Sequence, residues 1–189
     1  MIIIIDFDDV LFDRKGAFTK AALKAGVDLS SGSKLYEKVK AENNNIYNFR
    51  EHLKIIANHD SEKLHQLNQN MEKVFARTPE FLFPGVHKIL QKLRQQANQL
   101  ILASRGNVYF QKQKISNSGI SKYFNKIIIS EKYKADELVG RIKTWHAQNH
   151  GIIFIDDSKE EINLIKKTFA FVKIVHIRKG QIKNLLNLL

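Results

Sequence analysis

The sequence predicts an α/β protein: a parallel sheet covered by helices on both faces, with an all-helical segment inserted after the first strand. Three observations predict it. Four consecutive isoleucines, Ile2–Ile5, run into Asp6. Such a run suits a strand buried on both faces. Residues 15–77 contain no proline and little strand signal. From Phe81 onward, short apolar runs alternate with segments of helical period, and strands alternating with helices form a parallel sheet.

Taken in order, residues 1–7 read as the first strand. Ala17, Phe18, Ala21, Ala22 and Ala25 then recur at helical spacing, and Gly26 offers a stop. Leu35, Tyr36 and Val39 mark a second helix, and Phe49, Leu53, Ile56 and Ala57 a third. Leu64, Leu67, Met71, Val74 and Phe75 mark a fourth, with Ser61 as its expected N-cap. Phe81, Pro84 and Gly85 make a turn, followed by a helix carrying Val86, Ile89, Leu90 and Leu93. Strands are expected over 99–103, 126–130, 152–155 and 171–176. Helices are expected between them over 108–119, 135–148 and 160–169. The last segment, 182–189, reads as a short helix whose Leu185, Leu186, Leu188 and Leu189 dock on the core. The expected architecture is a Rossmann-like core from residues 1–14 and 80–189, with residues 15–79 as a helical cap.

The bulk composition narrows the function. A chain of 189 residues can bury one full core with room for a small lobe. Hydrophobic residues at 43% and charged residues at 26% fit a soluble globular protein. The absence of cysteine excludes disulfides, zinc–thiolate sites and cysteine nucleophiles. The opening apolar run is too short for a signal peptide and lacks a basic flank. No stretch approaches the roughly 20 apolar residues that span a bilayer. The expected setting is cytoplasmic, with no membrane partner. The net charge of +12 draws anions. The lysines are spread rather than clustered, which favours a small anionic substrate over nucleic acid. Nothing in the sequence speaks to oligomeric state.

In an open parallel sheet, ligands bind outside the carboxyl ends of the strands. After the first strand stand Asp6, Phe7, Asp8 and Asp9; after the second, Ser104, Arg105, Gly106 and Asn107. Lys132 and Lys134 follow the third, and Asp156, Asp157 and Ser158 the fourth. Carboxylates gathered at one edge repel unless a cation sits among them. Oxygen-only donors favour a hard ion, here Mg²⁺. Asp6 and Asp8, two residues apart on extended backbone, point the same way. One can attack as a nucleophile while the other gives and takes protons. Phosphoryl transfer needs positive charge around the equatorial oxygens. Mg²⁺, a lysine and a hydroxyl would supply it. Arg105 is a further candidate for phosphate contact, and Asn107 is as readily a helix cap. His52, His59 and His65, in the helical segment, read as surface residues.

These motifs resemble the haloacid dehalogenase superfamily, in its phosphatase branch with a helical cap. Asp6, Phe7, Asp8, Asp9, Val10 and Leu11 look like its first motif. Leu100 to Ser104 look like the second, which ends a strand on Ser or Thr, and Phe154 to Ser158 like the acidic fourth. Phe83, Pro84, Gly85 and Val86 resemble members with a cap inserted after the first motif. Gln111–Lys114, Ser118 to Ile120, and Tyr123 with Phe124 are similar to the segment between the second and third motifs. The resemblance implies Asp6 as nucleophile and metal ligand. It implies Asp8 as acid and base, with its backbone carbonyl on the metal. Ser104 and Lys134 would hold the phosphate, and Asp156 and Asp157 the Mg²⁺. The dehalogenase branch lacks the second aspartate, so Asp8 favours phosphate chemistry. Two positions depart from the pattern. Asp9 stands where glycine is usual, and Lys134 is not followed by proline. Lys132 therefore competes, with Lys134 preferred because it directly precedes a helical pattern. The expected activity is hydrolysis of a small phosphomonoester. A phosphomutase with the same site is the alternative, as is a non-catalytic relative binding nucleic acid or protein through its basic surface.

Overall fold

The computed structural model describes residues 1–187. The expected docking of Leu188 and Leu189, and of the Leu186 side chain, falls outside the described residues. Leu185 is fully buried.

Five strands form one parallel sheet. β1 (Ile2–Ile5) lies at its centre, and the order is β3-β2-β1-β4-β5. The others are β2 (Gln99–Arg105), β3 (Lys126–Ser130), β4 (Ile152–Asp156) and β5 (Lys173–His176). The chain fills one side of β1 with β2 and β3, then crosses to the other with β4 and β5. That reversal opens a crevice at the carboxyl ends of β1 and β4. Ile5 pairs with Leu102 on one side and Ile155 on the other. Asp6 and Asp156, the next residues along, are thereby placed side by side.

Side chains alternate across the sheet as period two demands. Ile3, Ile5, Leu100 and Leu102 face one layer, while Ile2, Ile4, Ile101 and Phe154 face the other. The second layer holds α7 (Lys134–Ala147) and α8 (Lys159–Thr168). Leu138, Ile142, Trp145, Ile162 and Ile165 bury there. Each fully buried isoleucine of β1 stabilises the fold by roughly 1.5–3 kcal/mol.

The other layer holds α5 (Val86–Gln96), α6 (Val108–Asn117) and the helical insert. A π-turn over Arg14–Phe18 leads into α1 (Thr19–Lys24). The insert continues with α2 (Lys34–Glu42), α3 (Phe49–Ala57) and α4 (Ser61–Ala76). The cap of α4 is Asp60, which accepts from Lys63 N at 2.9 Å, and not the expected Ser61. Asp and Ser cap equally well, and the chain turns one residue earlier. The two passages between core and insert run together: Asp13 N donates to Phe81 O at 2.8 Å and Phe83 N to Leu11 O at 3.0 Å. Above them Phe12, Phe18, Phe81, Phe75 and Phe110 pack against one another, tilted or edge to face. This aromatic cluster fixes the insert over the strand ends.

Candidate active site

Asp6 leaves β1 with its N–H bonded to Ile155 O at 3.0 Å. Its carboxylate and that of Asp156, at the end of β4, share one buried cation. Lys134 Nζ lies 2.5 Å from Asp6 Oδ1 and 2.7 Å from Asp156 Oδ2. Lys134 is the first residue of α7, and its backbone N–H donates to Glu161 Oε2 at 2.9 Å. Lysine and helix start are thus both tied down by acids at the site. Burial alone would lower the Lys134 pKa, but Asp156 and Asp6 outweigh it and push it well up. The lysine stays charged. Burial raises the Asp6 carboxyl well above its ordinary value; Lys134 opposes the rise and Asp156 adds to it. Lys132 is exposed, with its N–H on Ser130 Oγ at 3.0 Å. It stands apart from both carboxylates.

Asp6, Asp156 and Asp157 each offer a carboxylate oxygen within 4.8 Å of the others'. Three carboxylates around one buried lysine leave surplus negative charge. A cluster of hard oxygen donors of this size fits a small divalent ion. Burial raises the Asp157 pKa, and Lys15 opposes it.

The Asp8 side chain is not part of that group. It turns toward α6, where Lys114 Nζ meets Oδ1 at 2.7 Å and Oδ2 at 2.6 Å. Gln111 Nε2 donates to Oδ2 at 2.9 Å. Burial would raise the Asp8 carboxyl, but Lys114 and then Arg14 more than offset it and hold it below the usual range.

Asp9 takes a left-handed conformation at φ 60°, a region that Asp tolerates better than most residues. Its buried carboxylate accepts from Lys15 N at 3.0 Å. It also pairs with Lys15 Nζ at 3.1 Å and Arg14 Nε at 3.6 Å. The Asp9 carboxylate is thus absorbed by two cations of the π-turn.

Ser104 is buried at the end of β2, and its hydroxyl has no partner among the described residues. Arg105 lays its guanidinium over Tyr133, 3.6 Å from the ring centre, and pairs with Glu161 at 3.4 Å. Its buried Nε is likewise unpartnered among the described residues. Asn107 caps α6, accepting from Phe110 N at 3.1 Å.

A cleft of about 580 Å³ opens over these strand ends. Asp6, Asp8, Asp157 and Lys134 lie on its core side, and Tyr36 and Tyr47 on the insert side. Tyr47 donates to or accepts from His52 Nδ1 at 2.9 Å. His52 is fully buried, which corrects its expected surface position: the hydrophobic face of α3 carries it inward beside Leu53. Sequence reading missed Lys114, Gln111, Glu161, Arg14 and Lys15 as neighbours of the carboxylates. One signal was present: Lys114 occupies a position of α6 where Phe110 and Ile115 call for an apolar residue.

Paired aspartates at the end of a central strand, acids from a neighbouring strand, a buried lysine and a helical insert above them define a capped Rossmann-like enzyme. The chain belongs to the haloacid dehalogenase-like hydrolase family, whose model matches residues 3–173. No curated protein matches it in sequence. Among solved structures it is similar to a Burkholderia xenovorans protein described as a haloacid dehalogenase-like hydrolase. The TM-score is 0.72 at 18% identity, covering 96% of this chain and 83% of that one. It is similar to the L-2-haloacid dehalogenase of Xanthobacter autotrophicus with chloropropionic acid covalently bound, at TM-score 0.61 and 15% identity, covering 93% and 76%. It is also similar to a magnesium-bound Bacillus subtilis protein described as a hydrolase of this type. That TM-score is 0.63 at 14% identity, covering 99% and 97%. At these identities the likeness is one of fold.

Proposed function

We propose that the protein is a Mg²⁺-dependent phosphohydrolase of small phosphomonoesters, with residues 1–14 and 80–189 as catalytic core and 15–79 as cap. The observation that carries this reading is the buried Lys134 ammonium between Asp6 and Asp156, with Asp157 alongside. Asp6, Asp156 and Asp157, with the backbone carbonyl of Asp8, would hold Mg²⁺. The ion supplies charge neutralisation for an incoming phosphate dianion.

Asp6 attacks phosphorus through one carboxylate oxygen. The bond from phosphorus to the leaving oxygen breaks, and Asp8, having taken up a proton as substrate binds, delivers it to that oxygen. Water then attacks the aspartyl-phosphate while Asp8 takes its proton. Inorganic phosphate departs and the Asp6 carboxylate is regenerated. Lys134 holds the nucleophile in place and offsets phosphate charge. Ser104 and Arg105, each with a buried polar atom unpartnered among the described residues, would donate to phosphoryl oxygens. The insert covers the cleft and excludes water.

The test is phosphate release from a panel of phosphomonoesters, including an aryl phosphate, with and without Mg²⁺, beside Asp6→Asn. Release should need Mg²⁺ and fall by about 1000-fold or more in the variant. Release that survives Asp6→Asn would overturn the reading. Transfer to a second acceptor in place of release would make the protein a phosphotransferase.

A further inference from the structure

Lys114 is fully buried in the middle of α6, yet it ends in an ammonium. Its aliphatic stem and charge sit among aromatic rings. The ammonium is 4.8 Å from the centre of Phe110, 5.7 Å from Phe7 and Phe12, and 5.9 Å from Phe18. Ring faces favour a cation but do not replace water. Among the described residues its ion-pair partner is Asp8, gripped through both oxygens.

Stability does not account for this choice. Burying an ion pair costs desolvation that the pair barely offsets, and an apolar side chain of like volume would serve the core as well or better. The pair does achieve fixed placement. Gln111 and Lys114 lie three residues apart, hence on one face of α6, and both reach Asp8. The first turn of that helix is anchored by the Asn107 cap, two residues beyond Arg105 at the end of β2. Gln111 also donates to Arg105 O at 3.1 Å. Asp8 is therefore positioned by the element that follows the candidate phosphate-binding strand end.

We infer that Lys114, assisted by Gln111, is the positioning residue that holds the Asp8 carboxylate where it exchanges protons with the leaving group and with water. This rests on the phosphohydrolase reading above.

Lys114→Met keeps the volume of the stem and removes the charge. Its kinetics on an aryl phosphate separate the two chemical steps. A good leaving group needs little proton donation, so transfer to Asp6 should persist as a burst of aryl alcohol. Water attack needs Asp8, so the steady rate should fall by about 100-fold, as a misplaced catalytic group does. KM should fall with the steady rate, so that kcat/KM, which reports transfer to Asp6, barely moves. On an alkyl phosphate the burst should vanish. A steady rate equal to the parent enzyme's, or equal losses in burst and steady phases, would overturn the inference, because the second pattern reports damage at Asp6. Gln111→Met should show the same split at about 10-fold, and decides the matter if Lys114→Met does not fold. If the parent protein releases no phosphate, the hydrolase reading fails separately, and a crystal structure of Lys114→Met still tests the clamp. The Asp8 carboxylate should leave α6; finding it unmoved would overturn the inference.

Discussion

Two buried lysines serve two aspartates that stand two residues apart, and they do so in opposite ways. Lys134 sits at a helix start, between Asp6 and Asp156 at the sheet's carboxyl edge. Lys114 sits mid-helix in an aromatic cage and faces Asp8. Around Lys134 negative charge exceeds positive, and its pKa is driven up once the carboxylates outweigh burial. Around Lys114 burial prevails and its pKa falls, despite Asp8. The first arrangement is open to another cation; the second is a closed pair. The comparison teaches that one motif can hold one carboxylate ready for a metal and the other fixed in direction.

The largest effect that would sharpen this contrast is expected from Lys134→Met. Removing the ammonium leaves Asp6 and Asp156 buried without compensation, at about 3–5 kcal/mol. Activity should drop by about 1000-fold. Because the three carboxylates remain, Mg²⁺ alone should return a large part of the lost stability through binding the folded state. Thermal melting with and without MgCl₂ checks it. If the variant gains no more from Mg²⁺ than the parent, the three acids are not a cation site and the contrast fails.

The closed pair predicts the reverse behaviour. Asp8→Asn strands a buried ammonium and should cost about 3 kcal/mol. Adding Lys114→Met removes the stranded charge, so the double variant should be more stable than Asp8→Asn. Mg²⁺ should not substitute for the second change. Chemical denaturation of the four proteins gives the coupling directly. Simple addition of the two losses would mean that the pair is not closed.

What the sequence made legible follows the same division. The strands, their parallel sense and the strand-end acids were readable because each depends on local pattern: Ile2–Ile5 before Asp6, and Ile152–Ile155 before Asp156 and Asp157. Lys134 was readable as one of two lysines beside a helix start. The partner of Asp8 was not, because it lies 106 residues away. Helical period puts Lys114 on the face of Phe110, but only the packing of α6 shows which carboxylate its buried charge meets. Asp9 read as a departure from the motif pattern; the π-turn that brings Arg14 and Lys15 to it has no sequence signature. His52 read as surface because polarity stood in for a position that only packing determines.

His52 supplies the smallest effect, and it bears on the insert alone. The imidazole is buried beside Tyr47, and burial pulls its pKa down from 6.5 to about 4, against a weak opposing pull from Asp28. Between those values the unfolded chain binds a proton that the folded chain refuses. Stability therefore rises with pH across this window and is fully present above about 6.5. It is lost as pH falls toward 4. After allowance for solvent screening, the difference between pH 7 and pH 5 should be about 1 kcal/mol. His52→Gln keeps a polar partner for the Tyr47 hydroxyl and removes the titration. Denaturation midpoints at the two pH values should then differ less in the variant than in the parent protein. The carboxylates of the core titrate in both proteins, so their contribution cancels in the comparison. An unchanged pH response would show that His52 gains a proton as easily folded as unfolded, and that the insert opens to water around it.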